Sequence, residues 1–127
     1  MAITRRKAVL NDRITLNFQE KEFMCRCCNE IYIHPALVRS LEKLRHKLGG
    51  KPITINSGYR CQTHNKNVGG APKSQHMFGL AADITVKGMT VHQVASAAEG
   101  IFDGIGKYPK QNFVHVDLRG YPQRWEG

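Results

Sequence analysis

Long apolar runs are missing from this chain. No stretch of its 127 residues approaches the roughly 20 consecutive apolar positions that a membrane-crossing helix needs, so no membrane association is expected. Nor is a secretory leader expected. Residues 1–10 carry positive charge, but Asn11-Asp12-Arg13 cuts off any apolar segment behind them. The expectation is cytoplasmic synthesis without an ordinary export signal. Repeats, low-complexity tracts and long Pro/Gly/Ser linkers are also absent. That leaves one domain over 1–127, with the pattern-poor residues 1–13 expected as a loose N-terminal arm. Nor is there a basic stripe interleaved with aromatics. Despite a formal net charge of +9, nucleic acid is therefore not the expected partner. The charges are scattered, with no run longer than Arg5-Arg6-Lys7, and a basic surface alone suits any anionic partner. A monomer is expected.

A second cysteine pair is the next absence. Four cysteines are present, and Cys25, Cys27 and Cys28 crowd together while Cys61 stands alone. A zinc knuckle usually draws on two separated Cys or Cys/His pairs. Neighbouring cysteines also make poor disulfide partners for each other. Reduced thiols are the expectation; a disulfide from Cys61 to the triplet, or an accessory metal site, are the alternatives.

What is present reads as helices and short strands. Leu37, Val38, Leu41, Leu44 and Leu48 recur at helical spacing, with Pro35 suited to a first turn and Gly49-Gly50 to a stop, which predicts a helix over 35–48. The β-branched run Ile53-Thr54-Ile55-Asn56 predicts a strand. Residues 65–74, rich in Gly, Asn, Pro and Lys, read as loop. Residues 80–86 read as a strand, and Thr90-Val91-His92-Gln93 as a capping box opening a helix to about Glu99. Late strands are expected near 102–108 and 113–118. Together these predict an α+β domain, a small mostly antiparallel sheet flanked by helices.

The chemistry concentrates in Ser74-Gln75-His76-Met77-Phe78-Gly79-Leu80-Ala81-Ala82-Asp83 and, further on, Phe113-Val114-His115-Val116-Asp117. Two neutral imidazoles and one carboxylate, from His76, Asp83 and His115, suit a single zinc ion and leave a fourth position open. The carboxylate cancels only part of the ion's charge, so the ion stays a Lewis acid, as amide hydrolysis requires. His76 and Asp83 are an odd number of residues apart and would face opposite ways on one straight strand. A turn near Phe78-Gly79 is needed to bring them together. On the last strand His115 and Asp117 share a face, with Asp117 roughly 7 Å along it.

These segments resemble the zinc D-alanyl-D-alanine carboxypeptidase family of cell-wall peptidases, which shares its fold with the hedgehog signalling domain. The similarity covers most of the chain. It runs from Phe18-Gln19-Glu20-Lys21-Glu22-Phe23 and the cysteine cluster through Ser57-Gly58-Tyr59-Arg60, His64-Asn65 and Val68-Gly69-Gly70-Ala71. It continues through both ligand segments to Arg124-Trp125. The resemblance implies that His76, Asp83 and His115 are the zinc ligands. It further implies that Arg60 contacts substrate and stabilises charge on the attacked carbonyl, and that Ser74 supports the site or contacts substrate. His64 and Asn65 are expected to brace the loop.

One departure stands out. Many relatives place an acidic residue or a histidine two or three positions before the last ligand, as general base. Asn112 and Phe113 stand there in this chain, and neither takes a proton. Asp117 is the substitute that geometry offers, either as proton carrier or as a brace for His115; Asp103 and Glu99 are remoter candidates. The function implied is hydrolysis of amide bonds next to D-amino acids in peptidoglycan peptides, by carboxypeptidase or endopeptidase action. The expected lack of an export signal and the net charge of +9 add the expectation of a phage-type lytic setting, with action on the wall after lysis or in a phage particle. A catalytically weak zinc-containing module that binds cell wall or protein is the alternative.

Overall fold

Along residues 3–127, the part of the chain that the computed structural model describes, nine strands and four helices follow one another. In chain order they are β1 (Ile3–Lys7), β2 (Arg13–Thr15), β3 (Phe18–Gln19), α1 (Glu20–Phe23), β4 (Glu30–Ile33), α2 (Pro35–Lys47) and β5 (Ile53–Ser57). Then come α3 (Gln62–Asn67), a 3-10 turn (Gln75–Phe78), β6 (Ala81–Val86), α4 (Val91–Ala98), β7 (Gly104–Tyr108), β8 (Phe113–Asp117) and β9 (Gln123–Glu126). No described helix is long and apolar enough to cross a membrane.

The apolar stripe of α2 dictates its packing. Leu37, Val38, Leu41 and Leu44 are fully buried, and Leu48 closes the stripe against the same core. Burial of each such side chain is worth about 1.5–3 kcal/mol. Their partners come from one face of a five-stranded sheet of order β5-β6-β8-β7-β9. Ile53, Ile55, Ala82, Ile84, Val86, Ile105, Val114 and Val116 lie on that face, and Val91, Val94, Ala95 and Ala98 of α4 complete the core. All pairings in the sheet are antiparallel except β7 with β9, which is parallel. The capping box of α4 forms as its sequence predicts, with Thr90 and Gln93 exchanging hydrogen bonds.

The alternation that buries Ile84, Val114 and Val116 turns Asp83, His115 and Asp117 to the other face. Register then aligns them. Asp83 pairs with His115, His115 with Gly106, and Gly106 with Trp125, while Asp117 sits between Ala81 and Gly104. The two glycines make room on this face: a Cβ at Gly104 would collide with the Asp117 carboxylate, and one at Gly106 with the Trp125 indole.

Two expectations need correction. Residues 3–7 of the expected loose arm form β1, paired antiparallel with β4 and clamped by Arg6, whose guanidinium donates to both carboxylate oxygens of Glu20 at 2.8 and 2.7 Å. That partner is distant in sequence, so no local pattern announces the strand; residues 1 and 2 of the arm lie outside the described residues. Within 65–74, expected as loop, residues 65–67 belong to α3. This short helix has no apolar stripe to betray it and is held at its start by the Cys61 sulfur, which accepts from the His64 N–H at 3.4 Å.

Candidate metal centre and cleft

His76 reaches the sheet from the 3-10 turn. The Ser74 hydroxyl caps this turn, accepting from the His76 amide at 3.2 Å, and Gly79 ends it at φ 70°. Only a residue without a side chain fits there, since a Cβ on Gly79 would stand 2.5 Å from the Tyr32 carbonyl oxygen and 2.9 Å from the Ile33 Cα. This is the turn that the odd spacing of His76 and Asp83 demanded.

The three residues converge. His76 Nε2 and His115 Nδ1 each lie 3.1 Å from the same oxygen, Oδ1 of Asp83. The other nitrogen of each ring has a fixed partner. His76 Nδ1–H donates to the Gly58 carbonyl at 2.7 Å, and His115 Nε2–H donates to Oδ2 of Asp117, also at 2.7 Å. Neutral rings so arranged must aim lone pairs at a carboxylate oxygen, which is repulsive unless a proton or a cation lies between. Ligands about 2.0 Å from a tetrahedral zinc stand about 3.3 Å from one another, close to the spacing seen. The donor set fits that ion, and its second contacts are those that orient metal-binding imidazoles.

Electrostatics agree with a cation site. Burial lowers the pKa of His76, against the pull of Asp83, so its ring is held neutral and free to ligate. Burial works the same way on His115, but hydrogen bonds with Asp117 and Asp83 outweigh it and raise that pKa. Burial favours the neutral form of Asp83, yet contacts with His115 and His76 hold its pKa well below the ordinary carboxylate range. Asp117 behaves likewise through His115 and Arg119.

Above the triad opens a cleft of about 600 Å³. Arg60, Ser74, Tyr108, Phe113, Arg119 and Trp125 line it, and Asp83 is the only carboxylate among its lining residues. Arg60 follows β5; its Nη2 donates to the Ser74 hydroxyl at 3.4 Å, and its Nε is buried without a hydrogen-bond partner. Burial lowers the Arg60 pKa, partly offset by Asp83. Asn65 braces the neighbouring loop, donating to the Ala71 carbonyl at 2.8 Å. Asp117 is fully buried and lies outside the cleft lining, with Arg119 donating to both of its oxygens. Asn112 turns the chain at φ 59°, and Phe113 stacks on Tyr108. Of the remoter acids, Glu99 is paired with Arg124, and Asp103 accepts from the Gly120 amide.

Sequence reasoning missed Arg119 and Tyr108. Arg119 locks Asp117 and lies 4.9 Å from the Trp125 ring centre, while the Trp125 Nε1–H donates to the Tyr108 hydroxyl oxygen at 2.7 Å. The i, i+2 spacing of Asp117 and Arg119 was the available signal for the first. For Tyr108 there was none, because its neighbour Trp125 arrives from another strand.

A family model described as Peptidase M15 matches residues 13–117. Zinc D-Ala-D-Ala carboxypeptidase of Streptomyces albus G is 44% identical over 80 residues, covering 60% of this chain and 31% of that protein. Peptidoglycan L,D-endopeptidase MepK of Escherichia coli strain K12 is 36% identical over 100 residues, 73% of this chain and 54% of that one. The probable peptidoglycan L,D-endopeptidase MepK of Haemophilus influenzae is 32% identical over 108 residues, 78% of this chain and 58% of its own length. The chain thus spans between about a third and three fifths of the curated relatives it matches.

Proposed function

Because this chain belongs to the peptidase M15 family, we propose that it is a zinc-dependent peptidase that hydrolyses amide bonds next to D-amino acids in peptidoglycan peptides. The observation that carries this reading is the convergence of His76 Nε2, Asp83 Oδ1 and His115 Nδ1 on the floor of an open cleft beside Arg60. Those three residues would hold the zinc, which supplies a Lewis acid for the scissile carbonyl and lowers the pKa of a water molecule to about 7.

The remaining work falls to side chains. Arg60, half-buried and without a carboxylate partner among the described residues, is placed to receive negative charge building on the attacked carbonyl oxygen. Ser74 serves by capping the His76 turn and by holding Arg60. Tyr108 accepts from Trp125, which leaves its own O–H free to donate into the cleft. We assign Asp117 to orienting His115 rather than to carrying a proton, since both its oxygens are engaged and it does not border the cleft. Besides Asp83, the charged residues lining the cleft are cationic, Arg60, Lys73 and Arg119, which favours peptides bearing a free carboxylate.

The test is digestion of purified muropeptides with the zinc-loaded protein, following released D-Ala and cleaved cross-links by mass spectrometry. Wild type should cleave, and His76→Ala should neither retain this zinc nor cleave. The lack of a free carboxylate in the cleft favours a second reading, a zinc-containing binding module; stoichiometric zinc with no turnover would select it. We further propose the hedgehog/DD-peptidase fold, supported by a helix-flanked sheet carrying two ligands on its open face. An experimental structure with another strand order would overturn that. A phage-type lytic setting is supported by the net charge of +9, which suits an anionic wall; export by an ordinary secretory route in the native cell would overturn it. A monomer is proposed, and light scattering on the purified protein checks it.

A further inference from the structure

The cysteines take no part in the cleft, yet three of them meet. Cys25 follows α1, Cys28 lies three residues on in the same turn, and Cys61 precedes α3. Their sulfurs all lie within 4.8 Å of one another, and Cys25 Sγ is 3.7 Å from Cys61 Sγ. A disulfide holds its sulfurs about 2.05 Å apart. Two thiolates bound at about 2.3 Å to a tetrahedral zinc stand about 3.8 Å apart. The observed separation is close to that of co-ligands.

The surrounding backbone is arranged to serve the sulfurs. The Asn29 amide donates to the Cys25 carbonyl at 2.9 Å, and Asn29 itself adopts φ 60°, so the chain reverses tightly between Cys25 and Glu30. The Cys25 amide closes the turn on the Glu30 carbonyl at 2.7 Å. Such a reversal carries the side chains of Cys25 and Cys28 to one side. Amides also point at the sulfurs: Cys61 N–H donates to Cys25 Sγ at 3.5 Å and His64 N–H to Cys61 Sγ at 3.4 Å. Donors of that kind favour thiolate over thiol, the form that a metal requires. Cys25 is buried while Cys28 and Cys61 are partly exposed, so an ion has an entry path. Cys27 is exposed on the same turn.

We propose that Cys25, Cys28 and Cys61 form a second metal site, separate from the histidine–aspartate centre, that takes a thiophilic divalent cation of the zinc type. Its role is positional. Cys61 directly follows Arg60, and the Tyr59 amide already donates to the Phe23 carbonyl at 2.8 Å beside Cys25. An ion shared by the turn and by Cys61 fixes the segment that presents Arg60 to the cleft.

The experiment counts metal in protein purified under reducing conditions with zinc present. Wild type should hold two zinc ions per chain by elemental analysis, His76→Ala one, and Cys28→Ser one. In cobalt-loaded protein, the thiolate-to-metal charge-transfer absorption should persist in His76→Ala and vanish in Cys28→Ser. Cys28→Ser is chosen because Cys28 is outside the buried core, and circular dichroism checks its fold; the wild-type and His76→Ala counts stand without it. One zinc in wild type with none in His76→Ala would overturn the proposal. So would an intact mass showing a Cys25–Cys61 disulfide, or thiols that react equally fast with and without metal. A missing peptidase activity would not, since these readouts are independent of turnover.

Discussion

Oδ2 of Asp117 stands 2.7 Å from Nε2 of His115, on the opposite side of the ring from Asp83, which lies 3.1 Å from Nδ1. The imidazole is thereby fixed in one tautomer and one orientation, with its lone pair aimed at Asp83 Oδ1 and the proposed metal position. Contacts of this kind are worth 10- to 100-fold in metal affinity. Asp117→Ala should therefore weaken zinc binding by about that factor, measured by competition with a chelator. Activity should fall with occupancy and largely return at saturating zinc. A loss of kcat that persists at full occupancy would show instead that Asp117 handles a proton.

The Arg6–Glu20 clamp should make stability depend on pH. Hydrogen bonding from Arg6 lowers the Glu20 pKa, and it prevails over burial, which acts the other way. The folded protein then binds fewer protons at Glu20 than the unfolded chain does, so the stabilisation is complete above the ordinary value of 4.5 and drains away as pH falls through the folded value. Glu20→Gln lacks this titration. The Tm gap between it and wild type, both stripped of metal, should be level from about pH 7 to 5.5 and narrow below about pH 4.5. At neutral pH the cost should be about 2 kcal/mol, as for hydrogen bonds to a charged group. A gap that widens in acid would refute the account.

Much of this molecule could be read from its residues because the informative parts are local. The leucine stripe of α2, the alternation in β6 and β8 and the capping box of α4 each encode their element within a few residues. That His76, Asp83 and His115 would converge was expected from their types, their spacing and the family resemblance together, and the fold brings the three side chains to one point. What escaped the sequence depends on partners that only the fold supplies. β1 exists through β4, β9 through β7, and α3 through a cysteine sulfur at its start. Asp117 was ambiguous for the same reason: whether it faces the cleft or the far side of His115 is decided by Arg119 and the space over Gly104.

Gly79 offers a test of how the His76 turn is built. Alanine there must adopt a left-handed backbone at φ 70° and place its Cβ 2.5 Å from the Tyr32 carbonyl oxygen. Gly88 has a similar φ of +83° but nothing within 4 Å of a Cβ. Gly88→Ala should cost about 1–2 kcal/mol, the conformational term alone. Gly79→Ala should cost about 3 kcal/mol or more, because the clash is added, and should also weaken zinc binding by displacing His76. Urea denaturation with a parallel zinc count measures both. Equal costs in the two variants would mean that the packing against β4 does not hold this turn.

Arg60 can be asked which charge it serves. Among the described residues its buried Nε has no partner, and its only side-chain hydrogen bond is the 3.4 Å contact to Ser74, so the free protein gains little from its charge. Arg60→Ala should leave the zinc content unchanged and the fold no less stable. If Arg60 meets charge that develops on the carbonyl during reaction, kcat should drop by about 10²–10³ with KM nearly constant. If it only holds a carboxylate already present in the substrate, KM should rise while kcat survives. Arg60→Lys separates geometry from charge, because an ammonium cannot reproduce the planar fork of the guanidinium. We expect the first pattern, with lysine restoring only a small part of kcat, since a point charge on a shorter reach cannot both lean on Ser74 and face the reacting oxygen.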